Sequence, residues 1–125
     1  MSVERAAAAK QAWAWPDSLD ALVAAAGNHT LLFENERVRV VQTRISAGDR
    51  TPVHTHRWPS VLFVFASSDL VRFDERGNVL MDTREAGQGL KLHSPVWQEP
   101  LPPHAVKNVG GAEFCGVQVE MKDVR

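Results

Sequence analysis

The sequence predicts a mainly β protein, built as a sandwich or small barrel, with a short helical segment in front of it. Several short runs after residue 28 alternate apolar and polar residues or are rich in β-branched ones, which is typical of strands. Glycine and proline turns separate these runs, as in two-sheet β folds. Residues that favour helices are confined to the start. We therefore divide the chain into a helical segment, 1–28, and one barrel domain, 29–125.

The composition is that of a single globular domain. The chain has 125 residues, 44% of them hydrophobic and 23% charged, and a chain of this length buries about 68% of the surface that it exposes when unfolded. A net charge of −1 argues against general electrostatic binding to nucleic acid. The single cysteine excludes an intramolecular disulfide. No apolar run approaches a membrane span, and the start is unlike a secretory signal, so we expect a cytoplasmic protein with no membrane or nucleic-acid partner.

Two helices are predicted in the first segment. Alanine-rich residues 3–13 have high helix propensity. A second helix is expected from Asp17 or Ser18 to Ala26, because a proline precedes a capping residue and the apolar side chains that follow share one face. The pair Gly27-Asn28 is a natural stop for this helix.

The strand-like runs of the barrel domain are 30–33, 37–45, 61–65, 70–73, 79–81 and 115–121. The run at 79–81 follows a turn with Gly77 at a position of positive φ, which indicates a hairpin. In the last run, apolar residues alternate with Gly116, Gln118 and Glu120. We assign the apolar face of this run and the phenylalanines of the earlier ones to the core: Phe63, Phe65, Phe73, Val117, Val119 and Met121.

Three histidines form a candidate metal site. His54 and His56 are two residues apart, so on a strand both imidazoles point to the same face. His104 follows much later, on a different run. Two ligands on one strand and a third on another is how a small barrel assembles a metal site, and neutral imidazole is a common ligand of Zn, Cu, Fe and Ni. His29 is predicted to lie at a surface or helix end, and His93 in a loop.

These residues also resemble a known family. The patterns Gly48-x5-His54-x-His56 and Pro100-x3-His104-x3-Asn108 are similar to the two motifs of the cupin superfamily, the RmlC-like cupins, and the approach at 34–40 resembles the corresponding strand of many small bacterial cupins. The resemblance covers roughly residues 30–121. It implies a double-stranded β-helix, or jelly-roll barrel, with His54, His56 and His104 as metal ligands near one mouth.

The sequence departs from the family pattern at two positions. The family has a glutamate three or four residues after the second histidine, where this chain has Ser60 and Val61, and Leu101 replaces the glycine before the last histidine. The site would then have three histidines and no acid, as in thiol dioxygenases and a diketone-cleaving dioxygenase. Ser60 is an even number of residues from His54 and His56, so on a continuous strand its side chain would face the metal with theirs. A bulge at Pro59 would turn Val61 inward instead.

The resemblance implies a small cupin with a three-His mononuclear metal site. A neutral shell leaves a divalent ion its full charge, which favours an anionic ligand. With iron we expect a dioxygenase, and with zinc or nickel an isomerase, acting on a small anionic molecule. The alternative is a non-catalytic module that binds a small molecule or a metal. A divalent ion (Fe, Zn, Ni or Mn) is the expected cofactor, with no organic cofactor.

Residues that flank the motifs are candidates for contact with the small-molecule ligand: Trp58, Ser60, Trp97 and Gln98. The two tryptophans are expected near the barrel mouth, where each could stack on a substrate. A homodimer is also expected, because the N-terminal segment supplies apolar area that a small barrel does not fully bury alone: Trp13, Trp15, Leu19 and Leu22.

Overall fold

The structure is a computed structural model that describes residues 13–85 and 87–122. A 3-10 turn (Asp17–Leu19) and a short helix, α1 (Ala21–Ala24), precede the strands, which are β1 (His29–Glu34), β2 (Val38–Ile45), β3 (His54–His56), β4 (Ser60–Ala66), β5 (Leu70–Asp74), β6 (Val79–Asp82), β7 (Val96–Gln98), β8 (Leu101–Asn108) and β9 (Phe114–Met121). Two antiparallel sheets, with strand orders β1-β2-β9-β4-β7 and β3-β8-β5-β6, enclose the interior. This confirms the mainly β fold class.

The predicted second helix is wrong in length. The backbone breaks at Asp20, whose ψ of 142° is extended, so the 3-10 turn ends there and α1 has four residues. The Asp20 carboxylate accepts a hydrogen bond from the backbone N–H of Leu22, which is a helix N-cap interaction. Most of the predicted helix over 3–13 lies outside the described residues. Within the described part, no helix has the length and apolar character needed to cross a membrane.

The interior of the barrel is partly polar, and this reverses the predicted orientation of the last strand. On β9 the buried side is that of Gly116, Gln118 and Glu120, and on β4 it is that of Ser60 and Leu62. The residues assigned to the core from the sequence remain partly exposed: Phe63, Phe65, Phe73, Val117, Val119 and Met121. The predicted alternation is confirmed, but the polar side faces inward, where Gln118 lines a cavity and Glu120 is buried.

Apolar packing fills one part of the interior, and the cavity occupies the rest. The buried apolar cluster comprises Ile45, Leu62, Val64, Leu70 and Phe114. It draws its members from both sheets, so it holds the sheets together next to the cavity.

Asn108, the last residue of the second motif, is fully buried, and its side chain makes four hydrogen bonds. Its amide nitrogen donates to the carbonyls of Ile45 and Ala112, at 2.9 and 2.7 Å. Its amide oxygen accepts from the Ser68 hydroxyl and from the Gly110 N–H, at 2.7 and 3.0 Å. All its polar groups are thus paired, and the end of β8 is fixed against β2.

Candidate metal centre

Three buried histidines converge at one end of the barrel. His29, His54 and His56 each offer a ring nitrogen, and these nitrogens all lie within 4.8 Å of one another. His54 and His56 lie on β3 and His29 is the first residue of β1, so the two sheets meet at this cluster. A cluster of imidazoles, buried and close together, is a donor set that suits a transition metal.

His104 adjoins the cluster. It pairs with His54 across β3 and β8, and the two ring centroids are 4.3 Å apart. It is buried and lines the same cavity as the other three histidines. The three histidines predicted from the motifs are therefore neighbours around one cavity, but the group with the mutually close nitrogens contains His29 in the place of His104.

Of the two predicted places for His29, a surface or a helix end, the surface is wrong, since the residue is only 4% exposed, whereas its ring bonds to Ala25 at the C-cap of α1. It is the single buried residue of β1 and pairs with Thr43, which is also buried. The register shifts between Leu31 and Phe33, so the side-chain alternation of β1 cannot be continued across the strand. The pairing of His29 with the inward-facing Thr43 could have predicted that His29 is buried. That pairing follows from the sequence only if the bulge is known.

Each of the four imidazoles has its Nδ1 in a hydrogen bond, which leaves Nε2 available. The Nδ1 partners of His29, His54 and His104 are backbone carbonyl oxygens at 3.0, 2.7 and 2.7 Å: those of Ala25, Pro52 and Pro102, respectively. A carbonyl only accepts, so Nδ1 carries the hydrogen and Nε2 carries the lone pair. Imidazoles that bind metals are held in this way by an acceptor on the other nitrogen.

Burial keeps these imidazoles neutral. It lowers the pKa of His29 to about 4, that of His54 to about 3 and that of His104 to about 2. Charge on neighbouring histidines lowers these pKa values further. All three side chains are therefore unprotonated at neutral pH, which is the form that binds a metal.

Glu120 is fully buried and joins His56 to Arg39. Its Oε2 accepts a hydrogen bond from Nδ1 of His56 at 3.2 Å, and its Oε1 accepts one from Nε of Arg39 at 2.5 Å. Burial would raise the pKa of Glu120, but the hydrogen bonds from His56 and Arg39 hold it below its ordinary value. The ionised carboxylate therefore fixes the ring of His56 with Nε2 free.

The ion pair continues to the helical segment. The two terminal nitrogens of Arg39 donate to the two carboxylate oxygens of Asp20, at 3.0 and 2.8 Å. Burial would lower the pKa of Arg39, but its hydrogen bonds to Asp20 and Glu120 raise it above the ordinary value. Sequence reasoning missed Glu120 and Arg39 as parts of the site. Glu120 and Gln118 are two residues apart on β9, so they face the same way. Glu120 would have been predicted inside the barrel if the polar face of this strand had been assigned to the interior.

Position 60, and not position 61, faces the interior. Ser60 is buried and its hydroxyl accepts a hydrogen bond from Nε2 of Gln118 at 3.2 Å, while Val61 is partly exposed. The pairing of β4 with β9 is regular from Ser60 to Val64, so Pro59 introduces no bulge there. Ser60 pairs with Glu120. The acid nearest to position 60 is thus on the neighbouring strand β9, where it binds His56.

The other predicted ligand contacts divide into two groups. Gln98 lines the cavity and its Oε1 accepts from Nε2 of Gln118 at 3.2 Å, while Ser60 reaches the cavity only through Gln118. Trp97, adjacent to Gln98 on β7, points to the opposite face and is 52% exposed. Trp58 lines a different pocket, with its ring centroid 5.0 Å from the Arg39 guanidinium carbon. Neither tryptophan lines the cavity that holds the histidines, and the stacking of Trp58 or Trp97 on a ligand stays a prediction.

The cavity has a volume of about 50 Å³ and is lined by both polar and apolar side chains. The polar lining comprises the four histidines, Thr43, Thr51, Arg72, Gln98 and Gln118. The apolar lining includes Leu62, Leu70, Leu90, Val106 and Phe114. This volume admits an ion with a few water molecules or a very small organic molecule.

Solved structures with the same architecture establish the fold. No protein-family model and no curated protein matches the chain. A cupin domain from Bordetella pertussis Tohama I is 25% identical, with a TM-score of 0.62 over 76% of this chain and 92% of that one. An RmlC-like cupin with a double-stranded β-helix fold from Methanocaldococcus jannaschii is 13% identical, with a TM-score of 0.54 over 74% of this chain and 77% of that one. The protein has the RmlC-like cupin fold.

A third structure with this cupin fold carries a named activity. The polyketide cyclase RemF from Streptomyces resistomycificus is 15% identical, with a TM-score of 0.51 over 76% of this chain and 64% of that one. Identity this low establishes a shared cupin barrel and no shared activity.

We expect the metal-free cupin to lose stability as the pH falls from about 6.5 towards 4. The unfolded chain binds protons on histidine near pH 6.5, whereas folded His29 and His54 remain neutral down to about 4 and 3. The free energy of unfolding should therefore fall by up to about 1.4 kcal/mol per pH unit for each such histidine. Urea denaturation of chelator-treated protein over this pH range measures the slope.

Two variants check the origin of this slope. His54→Gln removes one titrating group and should make the slope shallower by up to one proton, whatever it does to the stability at pH 7. His93→Asn removes an exposed histidine and should leave the slope unchanged. Equal slopes in the wild type and His54→Gln would show that the buried imidazoles are not held neutral.

Proposed function

We propose that this cupin binds one divalent metal ion through Nε2 of His29, His54 and His56, with His104 as a fourth imidazole at the same cavity. The supporting observation is the combination of mutually close ring nitrogens, within 4.8 Å, with Nδ1 hydrogen bonds that leave Nε2 free. Each ligand is pre-oriented before the ion arrives, so little ordering opposes binding.

The donor chemistry favours some metals over others. All four candidate donors are imidazole nitrogens, which suit zinc, iron and nickel, whereas manganese prefers carboxylate and water oxygens. The nearest acid, Glu120, has its two oxygens engaged by His56 and Arg39. The bound ion would therefore keep its full positive charge, and we propose that its small-molecule ligand is an anion.

An enzymatic role follows from this centre. Bound iron would supply activation of dioxygen, and bound zinc or nickel would polarise a carbonyl. The chain's own residues would hold the substrate and exclude water. Gln98 and Thr51 offer polar contacts to a substrate, while Leu70 and Val106 belong to the apolar lining of the cavity. We propose a metal-dependent dioxygenase or isomerase. RemF, a polyketide cyclase with the same fold, is an example of this barrel in an enzyme.

A non-catalytic module is the second candidate. The cavity volume of about 50 Å³ favours it, because a substrate larger than a few heavy atoms would require side chains to move. Dioxygen uptake by the iron-loaded protein with a panel of small carboxylic acids separates the two roles. Uptake supports the enzyme, and tight binding without turnover for iron, zinc and nickel supports the module.

We expect tag-free, metal-free protein to bind one zinc ion per chain, measured by competition with a chelator. His29→Gln and His54→Gln should each weaken zinc binding by more than about 100-fold, since loss of a ligand exceeds the roughly 10–100-fold loss from removing a ligand's hydrogen-bond partner. Glu120→Gln should fall within that smaller range, because His56 loses its charged acceptor.

The matched control is His93→Asn, which removes an exposed histidine at a φ of 58° that asparagine adopts readily. It should bind zinc as the wild type does. His104→Gln measures whether the fourth imidazole is a ligand. Absence of stoichiometric binding, or retention of full affinity in His29→Gln, would contradict the proposed site.

We also propose that a second copy of the chain covers the outer face of the five-stranded sheet. One apolar row crosses all five strands in register: Phe33, Val40, Val119, Val61 and Trp97. Its two ends, Phe33 and Trp97, are 55% and 52% exposed. A continuous exposed apolar row is typical of an interface. This row adds a second apolar surface to the one expected on the N-terminal segment, where the ring centroids of Trp13 and Trp15 lie 4.8 Å apart.

We expect wild-type protein to sediment as a dimer and Trp97→Asp to weaken the dimer by about tenfold or more, because a buried charge would replace an interface aromatic. Val79→Asp is the control, since Val79 is 60% exposed on β6 of the other sheet. Analytical ultracentrifugation over a range of concentrations gives both dissociation constants. A monomeric wild type at high micromolar concentration, or equal weakening by the two variants, would overturn this assembly.

A further inference from the structure

Arg72, on β5, is a half-buried cation in the cavity wall. Its Nε is buried and makes no hydrogen bond within the described part of the chain. No carboxylate of the described residues pairs with the side chain, and burial lowers its pKa with no acid to oppose the change. Arg39 and Arg84 differ, since each donates to a carboxylate. A buried donor without an acceptor is unfavourable, and an anion in the cavity would supply the acceptor that Nε lacks.

Arg72 faces the same cavity as the histidines. It lines the cavity with Leu70, two residues earlier on β5, and its Cα partners on β8 and β6 are Val106 and Met81, which also line it. Its charge also lowers the pKa of His104, so the two side chains lie within electrostatic reach. The guanidinium and the imidazole cluster are therefore two recognition elements in one small space.

We infer that Arg72 binds the carboxylate group of a small organic acid in the barrel cavity. A guanidinium presents two parallel N–H donors that match the two oxygens of a carboxylate. The neighbouring lining residues are apolar, with Leu70, Met81, Leu90 and Val106 among them. A phosphate would turn a third charged oxygen towards this wall, where it would find no donor, so the planar carboxylate is the better fit.

The inference rests on the proposed metal site for what the bound acid does at its other end, away from Arg72. A substrate held by Arg72 through its carboxylate would present its remaining atoms to the histidine cluster and its ion. The cavity of about 50 Å³ limits such an acid to a few heavy atoms, as in formate or acetate, unless side chains move. The charge of Glu120 does not oppose the anion, because Arg39 pairs with it.

Acetate is the probe, titrated into metal-free and zinc-loaded protein at constant ionic strength and followed by the NMR signal of the Arg72 side-chain N–H. Metal-free protein isolates the contribution of Arg72. We expect saturable binding by the wild type, at least about tenfold weaker binding by Arg72→Met, and intermediate binding by Arg72→Lys, which keeps the charge but loses the fork. For the variants, backbone amide shifts of cavity residues replace the arginine signal.

The control is Arg76→Met, which removes an exposed arginine from the turn between β5 and β6 and should bind acetate as the wild type does. Arg72→Met replaces a half-buried arginine, whose buried Nε is unpaired, with an apolar side chain, so folding is expected to survive, and Arg72→Lys provides a second test. If acetate binding depends on Arg72 but the protein binds no zinc, the proposed metal site is contradicted and the inference about Arg72 is supported. Absence of saturable acetate binding, equal binding by Arg72→Met, or tighter binding of inorganic phosphate than of acetate would overturn it.

Discussion

The buried ion pair between Glu120 and Arg39 is the interaction on which the site depends. Glu120 has no exposed surface, so it remains charged only because Arg39 and His56 donate to it. Removal of Arg39 would leave an unpaired carboxylate inside the barrel. That carboxylate would then take up a proton, and the fixed orientation of His56 would be lost.

The same ion pair also reaches the opposite side of the histidine cluster. Arg39 donates to Asp20, the N-cap residue of α1, and Ala25 is the C-cap residue of the same helix. The carbonyl of Ala25 accepts the hydrogen bond of Nδ1 of His29. Polar contacts and the helix α1 thus connect His56 on β3 with His29 on β1. The connecting side chains are Glu120 on β9, Arg39 on β2 and Asp20. The short N-terminal segment is therefore part of the site and not an addition to the barrel.

The sequence was sufficient to predict the barrel and three of the four histidines that line its cavity. The two-residue spacing of His54 and His56 places both rings on one side of a strand whatever the register, and the second motif adds His104. His29 and Glu120 were not predictable in the same way. The side on which His29 lies depends on a bulge at Leu31–Phe33, which no periodicity encodes. Glu120 lies on a strand whose polar side faces inward, against the usual preference for apolar interiors.

The central claim is that His29, His54 and His56 hold one ion through Nε2, and anomalous diffraction at the zinc edge from zinc-loaded crystals tests it most directly. The account predicts one peak per chain, about 2.0–2.1 Å from Nε2 of these three histidines. A peak bound through Nδ1, or a peak away from the cluster in crystals that contain zinc, would contradict it.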